Sequence, residues 1–166
     1  MYPSAGVRNR SRGLFVGPVI TSASTKYSIL RKIHTGEIIY SKLKAFEGAI
    51  AVVPQEYDGF HTSHEFPTFK VQEDCADVGF LSHLFATRRF AELLAGASKG
   101  VGARRERLAP MDFLAQRVPL PELSVQRSVA SQLDTLRQAN DLGVKQLEIA
   151  QALPRAARHE VFSKLV

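Results

Sequence analysis

The stretch GASKGVGARRERL, Gly96 to Leu108, sets Gly96, Gly100 and Gly102 beside Lys99, Arg104, Arg105 and Arg107. Without a Cβ, a glycine backbone approaches a phosphate closely and offers its N–H groups, while the arginine fork grips phosphate oxygens or reads guanine O6 and N7. The loop therefore suits a bound nucleotide or the backbone of a nucleic acid. A nucleotide loop needs a Lys and then a Ser or Thr directly after its last glycine, to reach phosphates and magnesium. Here Gly102 is followed by Ala103, Arg104 and Arg105. The dinucleotide fingerprint fails as well, because it requires a strand before the loop and a third glycine, whereas this loop follows a helical pattern. What remains is a grip on nucleic acid by Lys99, Arg104, Arg105 and Arg107, set against the plainer reading of a solvated basic loop.

Other chemistry is sparse. His61 and His64 would need Cys75 and a carboxylate to complete a zinc site, and in strand-like FHTSHEF residues three apart lie on opposite faces. Ordinary surface histidines are the simpler account, and no metal site is expected. There is no GxSxG elbow, no HExxH pair, and no Cys and His set with catalytic spacing. Also missing are the Asn or Asp-Pro-Pro-aromatic loop of adenine methyltransferases and a nuclease's cluster of Asp, Glu and Lys. The chain by itself is expected to catalyse nothing.

Cys75 is the single cysteine, which rules out an internal disulfide and fits a reducing compartment. No run of eighteen apolar residues spans a bilayer, and the start MYPSAGVRNR lacks the apolar segment of a signal peptide. A cytoplasmic location without membrane attachment is expected. The charge is more telling: 22 Lys and Arg against 16 Asp and Glu give +6. Between Arg88 and Arg107, the basic residues Arg88, Arg89, Lys99, Arg104, Arg105 and Arg107 face only Glu92 and Glu106. Most of the excess sits around the glycine loop, as a polyanionic partner would require.

The elements that must position this loop can be outlined. Residues 1–13, with Arg8, Arg10 and Arg12, suggest a frayed basic arm. From Glu37 onward EIIYSKL, GAIAVV, FHTSHEF and TFKV read as short strands, separated by Gly48, Pro54, Asp58-Gly59 and Pro67. Between Gly79 and Ala95 the period becomes helical, but Leu81, Leu84 and Phe85 fall opposite Phe90, Leu93 and Leu94. Either that helix is buried all round or it breaks near Thr87. MDFLAQRV follows the loop, and Pro119 and Pro121 forbid helix before about Leu123. Beyond them Val129, Leu133, Leu136, Asn140, Gly143, Leu147 and Ala150 alternate spacings of four and three, the seam of a coiled coil. From Ser124 to Leu153 such a helix spans roughly 45 Å, long enough to serve a partner, although packing on its own domain is the alternative. Pro154 is expected to end or kink it.

Four stretches together carry a family likeness: LRKIHTGEIIYSKLKAFEGAIAVVP, YDGFHTSHEFPTF, SKGVGARRERLAPMDFLAQRVPLP and ELSVQRSVASQLDTL. Their order across Leu30 to Leu136 resembles the type I restriction-modification specificity subunit. The resemblance implies an α+β fold: a compact mixed-sheet DNA target recognition domain over residues 1–121, with its front shortened, then a coiled-coil spacer helix over 122–166. A full-length subunit of that family looks like two such domains joined by two antiparallel helices. One domain and one helix would thus make this chain a C-terminal half, a truncated gene product, or a half-subunit that dimerises.

By the same resemblance, Gly100 with Arg104 or Arg105 matches the loop that faces DNA. Pro119, Pro121 and Gln126 match the start of the helix that docks the methylating partner, with Val129, Leu133, Leu136, Asn140 and Leu147 continuing along it. Base-reading residues vary in such a family, so chemistry alone nominates Lys42, Lys44, His61, Thr62, Ser63 and His64. The partners implied are double-stranded DNA, a methyltransferase subunit, a restriction subunit, and a second copy or half-subunit through the helix. No cofactor is expected on this chain, since S-adenosylmethionine would bind the methyltransferase. The reading from another class is a coiled-coil interaction protein with an incidental basic loop; an RNA binder would need aromatic stacking signatures that the sequence does not display.

Overall fold

The computed structural model describes residues 1–21, 23, 27–98 and 107–163, with side chains as far as residue 152. The described chain is α+β and divides into two units, Met1–Arg127 and Ser128–Val166. In the first unit a three-stranded antiparallel sheet runs in the order β5 (Ile50–Val52), β4 (Ile38–Tyr40), β7 (Thr68–Phe69). Period-two alternation puts neighbouring residues on opposite faces. Tyr40 and Ile50 thus join one apolar core, while Ile39, Ala49 and Val53 join another.

The helices cover the first face. Asp77 caps α1 (Val78–Phe85) by accepting from Phe80 N at 2.9 Å, and Leu81 and Phe85 are buried. The chain breaks at Thr87, whose Oγ1 accepts from Phe90 N at 3.2 Å and starts α2 (Arg88–Ala97). The two apolar triplets that could not share one straight helix therefore lie on two. Pro110 opens the short α3 (Pro110–Leu114), which buries Phe113 against Tyr40 with ring centroids 4.7 Å apart.

A hairpin covers the second face, and it replaces the expected frayed arm. β1 (Ala5–Val7) pairs antiparallel with β2 (Leu14–Val16), and Ala5, Val7 and Leu14 are all buried. Its tip is tied down by Arg10 N to Glu47 O and Ser11 N to Gly48 O, both 2.8 Å. Gly48 adopts φ 71°, in the left-handed region glycine favours, and a Cβ there would stand 3.4 Å from the Arg10 backbone. Arg8 donates to Leu14 O at 2.6 Å, so this basic residue serves the hairpin. A two-stranded antiparallel pair, β3 (Arg31–Lys32) with β6 (His61–Thr62), completes the unit. Every strand pairing among the described residues is antiparallel, and an isolated parallel bridge joins Ser4 to His61.

The last helix, α4, runs from Leu123 to Ser163. It continues through Pro154, so that residue does not end it. The first turn of α4 belongs to the globular unit, and Gln126 is the reason. Its side chain is fully buried: Oε1 accepts from Asp77 N at 3.0 Å, and Nε2 donates to Cys75 O at 3.1 Å and Pro121 O at 2.7 Å. Gln126, which the resemblance placed at the start of the docking helix, is thus an internal clasp with its side chain buried.

Replacing Gln126 by Leu would strand one buried N–H and two carbonyls, each uncompensated group costing about 1–3 kcal/mol. We expect Gln126→Leu to lower stability by about 3 kcal/mol and Tm by roughly 6–12 °C, measured by thermal unfolding. An unchanged Tm would show that the clasp contributes nothing.

Candidate nucleic-acid interface

A groove of about 540 Å³ opens beside β3 and is lined by Tyr27, Ser28, Ile29, Arg31, Lys42, His64, Phe66, Pro67 and Pro110. Pairing of Arg31 with Thr62 brings β3 alongside β6. The chain after Thr62 then turns sharply, closed by Phe66 N to Ser63 O at 3.0 Å, which delivers His64 and Phe66 to the groove. Lys42 N bonds Glu65 O at 3.0 Å, and Leu108 N bonds Lys42 O at 2.9 Å, drawing Lys42 and Pro110 to the same place. The His64 ring meets Tyr27 edge-on, with centroids 5.5 Å apart, and its Nε2 lies 3.0 Å from Glu65 Oε1.

The groove combines positive charge with apolar and aromatic faces. Arg31 and Lys42 take part in no ion pair among the described residues. Exposed Ile29 and Tyr27 stand beside them. Cations next to flat rings suit a polyanion that also carries planar bases.

The nominated residues divide unevenly. Lys42 and His64 line the groove. Lys44 does not; it is paired with Glu47, and its ammonium lies 5.7 Å from the Phe46 ring centroid. The His61 ring packs edge-on against Tyr2 at 5.0 Å and is not among the residues lining the groove. Thr62 and Ser63 are 2% and 9% exposed. Burial removes both from any base edge, correcting their nomination as readers. Arg107 is present and exposed, with its guanidinium on Glu65. Lys99, Gly100, Arg104 and Arg105 lie outside the described residues.

Sequence reasoning missed Tyr27, Arg31, Glu65 and Phe66. They come from segments far apart in the chain, and the available hint was the basic pair Arg31-Lys32 ahead of a strand pattern. Of the expected docking residues, Pro119, Pro121, Leu133, Leu136, Asn140 and Leu147 are exposed and Val129 is half-buried. The Cys75 thiol is held above its ordinary pKa, first by a hydrogen bond to the Asp74 carboxylate and then by that group's charge. That disfavours the thiolate a nucleophile needs.

The fold and groove together define an α+β protein with a basic, aromatic-edged surface and a long terminal helix. No family model and no curated protein matches the chain. The crystal structure of the HsdS subunit from Thermoanaerobacter tengcongensis has the same fold: the TM-score is 0.63 at 19% identity, over 89% of this chain. The chain spans 42% of that protein's length.

Thr62 Oγ1 is buried with no hydrogen-bond partner among the described residues. Removing an unpaired buried hydroxyl relieves a desolvation penalty. Thr62→Val is therefore expected to leave stability unchanged or raise it by about 1 kcal/mol, read from the urea midpoint, with DNA affinity unaltered. A fall of that size would reveal a hidden partner for the hydroxyl.

Proposed function

We propose that the chain is a non-catalytic, sequence-specific DNA-binding subunit of a type I restriction-modification system. The observation that carries this reading is the fold shared with an HsdS subunit over 89% of the chain. The groove of Arg31, Lys42 and His64 beside Tyr27 and Phe66 supports it chemically. In this reading phosphate contacts fix the register on the duplex, and side chains at base edges choose the site. Lys99, Arg104 and Arg105 supply further phosphate contacts, with Gly100 allowing close approach.

The α4 helix would deliver a methyltransferase subunit, carrying its own S-adenosylmethionine, to a target adenine in the cytoplasm. A restriction subunit would join the same assembly. Leu133, Leu136 and Leu147 on α4 are exposed, as a helix needs if it pairs with a second copy or another half-subunit. That seam also favours the second reading, a coiled-coil interaction protein, which requires a stable oligomer with no salt-dependent affinity for DNA.

Titrating duplex DNA against the purified chain over a range of salt separates the two. Binding should weaken linearly in log–log form as salt rises, and Arg104→Ala with Arg105→Ala should flatten the slope by roughly two units if both sit on phosphates. A slope unchanged by the double substitution removes these residues from the interface. No salt-dependent binding by the unaltered chain leaves the oligomer reading standing.

A further inference from the structure

We infer that Arg107 reads a base edge, with guanine as its chemical match, and that Glu65 is the positioning residue that aims it. The inference rests on the DNA-recognition reading above and assigns one residue of its specificity. Nη2 of Arg107 lies 2.7 Å from both Oε1 and Oε2 of Glu65. The two carboxylate oxygens are close enough together to share one Nη2 hydrogen, which leaves the second Nη2 hydrogen to form a two-donor edge with a neighbouring nitrogen; Nε and Nη1 make no hydrogen bond among the described residues. The carboxylate is largely covered, with its side chain 16% exposed, whereas the Arg107 side chain is 52% exposed. The fork is therefore fixed at one corner and open along the rest.

The backbone beneath this pair is hydrogen-bonded on both sides. Lys42 N donates to Glu65 O, and Leu108 N donates to Lys42 O, so Glu65 and the residue after Arg107 hang from the same point of chain. Tyr40, fully buried, donates its hydroxyl to Leu108 O at 3.1 Å. The pair stands beside the groove, because Lys42 and His64 line it and His64 shares the Glu65 carboxylate.

A phosphate grip acts through net charge and released counterions, without demanding a fixed orientation. Glu65 compensates the charge of Arg107 and so weakens it in that role. Base reading demands the opposite: a planar fork at a fixed angle, presenting two donors to guanine O6 and N7. Holding the side chain before DNA arrives also reduces the rotamer freedom lost on binding. The geometry thus moves Arg107 out of the phosphate-gripping set in which its sequence context placed it.

The test selects binders from randomised duplexes with the unaltered full chain, Arg107→Lys and Glu65→Gln, and records salt slopes and thermal melts for each. The unaltered chain should select a motif containing a G·C pair. Arg107→Lys keeps the charge and an ion pair with Glu65 but loses the fork. It should lower preference at that one pair by roughly 5- to 150-fold, the range for a bidentate arginine–guanine contact, with the slope unchanged. Glu65→Gln should weaken preference at the same pair.

A motif unaltered by Arg107→Lys overturns the assignment. So does a Glu65→Gln slope steeper by about 0.9 with every base preference intact, since that marks a phosphate grip released. If the unaltered chain selects no sequence, the DNA-recognition reading itself fails. Should Glu65→Gln melt early, Arg107→Lys, with its ion pair kept, still decides the question.

Discussion

Leu108, next to the exposed Arg107, is fully buried. A buried peptide group needs partners for both its N–H and its carbonyl. Lys42 O takes the first and the Tyr40 hydroxyl supplies the second. Those two bonds attach Leu108 to Tyr40 at the end of β4, the central strand of the main sheet, and to Lys42 just beyond it, and the arrangement of the groove follows. Burial and the nearby Asp112 carboxylate push the Tyr40 phenol well above its ordinary pKa, so it stays a donor through any physiological pH. Stacking against Phe113 and Phe69 keeps its ring in place. Arg107, Glu65, Lys42 and Pro110 converge because one buried backbone unit had to be satisfied.

Gln126 performs a similar service at the other end of the unit. It joins the turn before α1, the Pro-Leu-Pro segment and the first turn of α4 through one buried amide. Both clasps use side chains that are polar but uncharged, which avoids the larger desolvation cost of burying an ion. The two sites share a logic: chain segments distant in sequence meet where their backbone polar groups leave water.

Much of this was legible in the sequence where the signal is local. The opposed apolar triplets after Gly79 required either total burial or a break, and Thr87 supplies the break as an N-cap. The alternation in EIIY and GAIAVV gave β4 and β5, and the seam residues from Leu133 on are exposed on a helix. The basic arm was misread because Ala5 and Val7 are buried only through pairing with Leu14–Val16 and cover by β4, contacts that composition does not encode. Thr62 and Ser63 looked like surface polar residues for a related reason. Thr62 pairs with Arg31 of β3, far away in sequence, and Ser63 follows it. Gln126 was noticed at the helix start, but a buried amide clasp and a docking residue look alike in one dimension. The groove itself joins residues from Tyr27 to Pro110, so no single window of sequence displayed it.

The central claim is that this chain chooses a DNA sequence for a methylating partner. Its most direct test is co-expression with the adenine methyltransferase subunit from the same genome, in a host lacking adenine methylation, followed by mapping of methylated adenines. The account predicts one recurring motif that appears only when both chains are present, palindromic if two identical half-subunits act together. Two well-expressed, co-purifying proteins that leave the host DNA unmethylated would contradict it.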